Sequence, residues 1–132
     1  MAEEFGEFTG ALIIIFYGLS VANYVLKFIN KKFGKTLRKY PKFYKIYIWI
    51  MKLIIKNHRL FGFLTVAFIL THFIIQFTSR GLSITGVIAA GFMVLQAILG
   101  SFGAFMKPKN KYWLYAHRIL SVMILIAILF HV

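Results

Sequence analysis

HRLFGFLTVAFILTH, residues 58–72, begins and ends on histidine and is apolar almost throughout between them. Extended to Thr78, the run reaches the roughly 20 residues that a helix needs to cross the hydrocarbon core of a bilayer. The same pattern returns as HRILSVMILIAILFH, residues 117–131. Over these 15 positions the two segments share five identities: His58/His117, Arg59/Arg118, Ile69/Ile128, Leu70/Leu129 and His72/His131. Each opens as His-Arg-x-x-small, with Gly62 in one and Ser121 in the other.

Working outward, an apolar run over residues 8–28 is closed by Asn30-Lys31-Lys32. It has no basic start and no small-residue cleavage site after it, so it reads as a retained helix and not as a signal peptide. Gly81 and Ser83 mark a short turn, a third run spans 84–105, Pro108 marks a second turn, and the fourth run starts at Tyr112. Turns this short force antiparallel neighbours. The expected fold is all-α: a four-helix transmembrane bundle, up-down-up-down, forming a single integral membrane domain over residues 1–132. Its helices are expected at about 8–29, 46–78 with 58–78 as the spanning part, 84–105 and 112–131.

Composition agrees. Of 132 residues 61% are hydrophobic, against 16 Lys or Arg and 3 acidic side chains, and no room is left for a separate soluble domain. The net charge of +13 would fit a nucleic-acid binder, but the charges sit between apolar runs and not along one folded surface. No nucleic-acid partner is expected. The chain has no Cys, which excludes disulfides, zinc ribbons, iron–sulfur clusters and covalent c-type haem attachment.

The basic residues also set an orientation. If the first and third connections face the cytoplasm, fifteen Lys and Arg lie inside and Arg80 alone lies outside, a one-sided positive-inside pattern. Both termini, with Glu3, Glu4 and Glu7, are then extracytoplasmic, in a cell or inner membrane. Residues Lys31 to Lys45 read as a solvated connection. Lys45, Lys52 and Lys56 share one helical stripe, so residues 44–56 either lie at the interface or prolong the second helix. Tyr112, Trp113 and Tyr115 are expected in the inner aromatic belt, with Trp49 in a similar role.

The chemistry rests on the four histidines. Each pair is 14 positions apart, about 40° short of four full turns, and falls on one face when a left-handed bundle winds the helix to about 3.5 residues per turn. The rise is about 21 Å. Because the second and fourth spans run in the same direction, His58 comes level with His117 and His72 with His131. Two neutral imidazoles facing across an apolar core are what a low-spin haem takes, one on each axial side of the iron. Ionisable groups inside a membrane are costly and usually functional. A lone intramembrane histidine would more simply hydrogen-bond a neighbouring helix, but four with matched spacing and depth call for a common cause. Zinc is the other ligand-based reading, weakened because two histidines do not complete a tetrahedral shell.

Arg59 and Arg118 beside the inner ligands, and Arg80 outside, suit haem propionates, although snorkelling to lipid headgroups explains the first two as simply. Gly62 leaves room for a porphyrin edge or serves plain helix packing. Gly86 and Gly100 are also 14 apart and fall near the outer and inner levels, where glycine lets the backbone approach a flat macrocycle. The first span has no such pair, since Tyr24 stands 14 after Gly10.

A His-x13-His pair on each of two parallel helices, with a helix between them, resembles the dihaem core of the membrane cytochromes b. That group includes the cytochrome b subunit of quinol–cytochrome c oxidoreductases and the membrane domain of ferric reductases and NADPH oxidases. The resemblance covers nearly the whole chain. It implies two non-covalent b haems, with His58 and His117 as axial iron ligands of the inner one, His72 and His131 of the outer one, and Gly86 and Gly100 packing against them. The later helices of the quinol enzymes and the flavin and nicotinamide domain of the reductases have no counterpart, so a minimal subunit or a fragment is expected.

The expected function is transmembrane electron transfer, with oxidoreductase activity supplied through a partner protein or quinone. Proton pumping is not expected, because no carboxylate follows Glu7. Expected partners are membrane lipid, a redox protein at the cytoplasmic basic face, and an extracytoplasmic acceptor or donor, with a quinone or further copies of the chain left open. The competing reading is a haem-free four-helix transporter or assembly subunit whose histidines are structural or bind metal.

Overall fold

In a medium without water a backbone has to satisfy its own hydrogen bonds, and a helix does so within one segment. The computed structural model describes residues 1–132 and is all-α, with five helices: α1 Ala2–Leu37, α2 Pro41–Lys56, α3 His58–Arg80, α4 Ile84–Phe105 and α5 Lys111–His131. Four of them, α1, α3, α4 and α5, are long and apolar enough to cross a membrane.

Two boundaries differ from the expectation. The stretch from Lys31 to Lys45 is mostly helix and not an irregular connection: α1 runs on to Leu37, and α2 already starts at Pro41. Charge alone does not end a helix. Lysine is a good helix former, and Lys35 in the last turn of α1 complements the helix dipole. What ends α1 is Pro41, which has no N–H for the ladder but fits the first position of a new helix. At 36 residues α1 is about 54 Å long, well beyond the hydrocarbon core.

The second difference is that the element expected over 46–78, with 58–78 as its spanning part, is two helices, so residues 44–56 form a helix of their own and do not prolong the second span. Asn57 leaves helical geometry at φ −97° and ψ 9°, and its side-chain Nδ2 donates to the Leu53 carbonyl at 2.9 Å. Its backbone N–H donates to that same oxygen at 3.1 Å. An asparagine that bonds its own local backbone competes with continuation of the helix. The separate α2 is not among the helices able to span.

The remaining turns follow their residues. Gly81 takes φ +81°, the left-handed conformation that glycine adopts without a Cβ penalty. Ser83 then caps α4 by accepting from the Gly86 N–H, and Asn110 caps α5 by accepting from the Tyr112 N–H.

The chain forms two compact units, one made of Met1–Ala11 with Val66–Val132 and the other of Leu12–Thr65. In the first, α4 and α5 pack together. They run antiparallel: Gly86 lies beside His131, Gly100 beside His117 and Gly103 beside Trp113. The start of α1 runs antiparallel to α3, with Glu3 beside Arg80, Gly6 beside Gln76 and Gly10 beside His72. In the second unit Ile13, Tyr17 and Ile54 are buried, and Phe16 meets Phe61 with ring centroids 6.3 Å apart.

Trp113 makes contacts beyond those of the aromatic belt expected of it. Tyr112 and Tyr115 are exposed, at 71% and 55%, but Trp113 is half-buried. Its Nε1 donates to the Leu99 carbonyl at 2.7 Å, and its ring lies on Gly103, where a Cβ would fall inside the indole. Gly103→Ala is therefore expected to destabilise the protein by about 1–3 kcal/mol, read as a lower melting temperature in detergent. Gly91→Ala, which meets nothing within 4 Å, should leave stability unchanged or raise it by up to about 1 kcal/mol through helix propensity. Equal effects of the two would contradict the packing described.

Candidate functional site

A hydroxyl on a helix can bond its own preceding turn, whereas an imidazole ring has to reach farther. His72, half-buried on α3, meets the first turns of α1. Its Nδ1 lies 2.9 Å from the Gly6 carbonyl oxygen and 3.2 Å from Thr9 Oγ1. A carbonyl only accepts, so His72 carries its proton on Nδ1 and leaves Nε2 as the bare nitrogen. Buried Thr9 commits its own hydrogen to the Phe5 and Gly6 carbonyls, at 2.9 and 3.0 Å, and faces the imidazole as an acceptor.

His131, at the end of α5, faces His72 with ring centroids 6.3 Å apart and ring planes at 88°. Its Nδ1 lies 3.1 Å from Thr85 Oγ1, and that hydroxyl lies 3.1 Å from Ser83 Oγ. Both Nδ1 atoms are thus held from behind. A histidine whose second ring nitrogen is held by a carbonyl or hydroxyl is the usual arrangement of a metal ligand. Two imidazoles sharing one metal ion through bonds of about 2.0–2.1 Å place their ring centres about 6 Å apart, so the observed separation fits one ion between them. No group of three or more His, Cys, Asp or Glu side chains is assembled, so a tetrahedral zinc shell is not formed from this chain's residues.

Glycines flank the pair. A Cβ on Gly86 would stand 3.0 Å from His131 Cε1, and one on Gly10 3.4 Å from His72 Cε1. On the third histidine, a Cβ on Gly100 would stand 3.6 Å from His117 Cε1. The two glycines expected from their spacing of 14 therefore do lie against histidines of α5. Gly10, which had no partner 14 residues on, does the same against α3.

His117 is held by its neighbours on α4 and α5. Trp113 stacks on it at 5.2 Å and 18°, and Gln96 Nε2 donates to its carbonyl oxygen at 2.9 Å and to Ser121 Oγ at 2.6 Å. His58 is the first residue of α3, in the unit Leu12–Thr65. The Nδ1 atoms of His58 and His117 are both closed off from solvent. Beside Gly62, one turn past His58, the space is open. Arg59 and Arg118 are exposed. Arg80 pairs through Nη2 with Glu3 Oε1 at 3.3 Å, both side chains more than half exposed.

Gly6, Thr9, Thr85, Gln96 and Trp113 were not singled out from the sequence as parts of a site. One available signal was the Gly6-x-x-x-Gly10 spacing, the small-residue pattern that lets membrane helices approach closely. The partnership of Thr9 with a histidine 63 residues away has no local signature.

These features define a helical protein with four helices able to cross a membrane and an imidazole pair held between them. No family model matches the sequence, and no curated protein or solved structure matches it.

The glycine distances grade two substitutions. Gly86→Ala should displace the His131 ring and shift its imidazole ¹H–¹⁵N resonances, because 3.0 Å is tighter than most real contacts and the ring has to give way slightly. Gly100→Ala, at an ordinary 3.6 Å, should leave those of His117 in place. The reverse order would contradict the geometry.

Proposed function

We propose that this chain is a dihaem membrane cytochrome of the b type, a four-helix up-down-up-down bundle that passes electrons between the two faces of a membrane. The carrying observation is the His72–His131 pair, 6.3 Å between ring centroids with both Nδ1 atoms held from behind. Haem b supplies one-electron redox chemistry when bound between such ligands.

The chain's own residues do the rest. His72 offers Nε2, because Gly6 and Thr9 fix its tautomer and ring direction. His131 is oriented by Thr85, and Gly10 and Gly86 keep side-chain bulk away from the two rings. Ile69, buried one turn before His72 on α3, lowers the local dielectric. The inner pair rests on the sequence: His58 and His117 each precede an outer ligand by the same 14 positions. Arg59 and Arg118 suit propionates at the inner surface. Arg80 is available outside, because an exposed pair such as Arg80–Glu3 contributes no more than about 1 kcal/mol and exchanges readily.

The positive-inside pattern supports extracytoplasmic termini and cytoplasmic basic connections. The basic residues of those connections outside α2, among them Lys31, Lys32, Lys35, Lys107, Lys109 and Lys111, would attract an acidic redox partner. With no carboxylate after Glu7, the bundle offers no side-chain proton relay, so electron transfer is expected without proton pumping.

Purified protein should contain two protohaems per chain by pyridine haemochrome assay and show a b-type reduced-minus-oxidised spectrum. Absence of haem after expression with haem supplied would overturn the proposal in favour of a haem-free membrane protein. His72→Ala and His131→Ala should each lower the count from two to one, and His117→Ala should remove the other haem.

Thr9→Val keeps the shape of the side chain but removes one of the two acceptors behind His72, leaving the Gly6 carbonyl. It should weaken retention of the outer haem by about 10–100-fold and raise that haem's midpoint potential, since a less electron-rich imidazole favours the reduced iron. Unchanged retention and potential would show that Thr9 has no part in holding the ligand.

A further inference from the structure

Helix α2 takes no part in the histidine site and has an unusual surface. At 100° per residue its 16 positions divide into three faces. One face packs inward: Ile54 is 8% exposed, and Tyr44, Tyr47, Ile48, Met51 and Ile55 are half-buried. Tyr47 donates its hydroxyl hydrogen to the Leu26 carbonyl of α1, tying this face to the first helix. A second face is apolar yet open, with Phe43, Ile46, Ile50 and Leu53 between 40% and 58% exposed. The third carries Lys45, Lys52 and Lys56 within about 40° of arc. Trp49, 65% exposed, lies between the lysines and the apolar face, with Lys42 near it in the first turn.

We propose that α2 lies in the membrane interface and forms a binding site for anionic phospholipid. Lys45, Lys52 and Lys56 take the headgroup phosphate, Trp49 sits at headgroup depth, and Phe43, Ile46, Ile50 and Leu53 rest on the acyl chains. Charge complementarity selects an anionic headgroup, and the bulky open face beside the lysines selects a ligand that is apolar one helix width away. A lipid meets both needs. An acidic soluble protein is disfavoured by position: one residue, Asn57, separates α2 from α3, which is able to cross the membrane, so α2 is tethered at the bilayer surface. The inference does not depend on haem.

The test uses the full chain in nanodiscs containing either brominated phosphatidylglycerol or brominated phosphatidylcholine at equal mole fraction. Trp49 emission, isolated by subtracting the Trp49→Phe protein, should be quenched by both lipids and more strongly by the phosphatidylglycerol. In Lys45→Gln/Lys52→Gln/Lys56→Gln the excess quenching should disappear while quenching by phosphatidylcholine persists. Each lysine near an anionic surface contributes about fivefold in affinity, so the triple change should lower the apparent affinity for phosphatidylglycerol by about 10–100-fold. Equal quenching by the two lipids in the unaltered protein would overturn the anionic preference. Absence of Trp49-dependent quenching by either would overturn the interfacial placement and leave the face to a soluble partner. Haem absorbs emission equally in both preparations, so the comparison holds whether or not the protein is a cytochrome.

Discussion

Inside a bilayer every polar group has to find its partner within the protein, and this constraint sorts the side chains of the chain into two kinds. Several Ser and Thr hydroxyls are satisfied by their own helix: Ser20 bonds the Phe16 carbonyl, Thr65 that of Phe61, Thr71 that of Ala67 and Ser101 that of Ala97, each four residues back. An imidazole does not fold back in this way. His72 reaches the Gly6 carbonyl, 66 residues distant in sequence, and His131 reaches Thr85, 46 residues distant. The histidines therefore tie separate helices together, and the same bonds engage Nδ1 of each ring, leaving Nε2 outside these contacts.

The parts legible in the sequence are those with a period or an obligate breaker. Apolar runs of spanning length and the Gly81 and Ser83 turn each leave a local mark, and each is where the sequence pattern puts it. Charge is a poor guide to helix ends. Lysines stay in helices when their ammonium groups can reach water, so α1 outlasts its apolar stretch. Asn57 ends α2 by bonding its own backbone, a competition that a hydropathy profile does not register.

The supporting residues of the site were harder to find for a different reason. Thr9 and Gly6 acquire meaning only when the start of α1 comes to lie against α3, and Trp113 only when Gly103 opens a place for its ring. Tryptophan near the end of a span reads as a belt residue by position. Here its N–H finds a carbonyl on α4 and its face finds His117, so it orients a histidine. Such contacts between remote segments have no single-sequence periodicity, although the Gly6-x-x-x-Gly10 spacing hinted at close approach.

In the proposed cytochrome His72 and His131 together hold one iron. Low-temperature electron paramagnetic resonance of the oxidised, purified protein reads that coordination directly. Two nitrogen ligands predict low-spin ferric iron, and ring planes at 88° predict a highly anisotropic form of that signal, lost when His72 is replaced by Ala. A high-spin signal in the unaltered protein, a low-spin signal that survives the loss of His72 unchanged, or no iron signal at all would contradict the account.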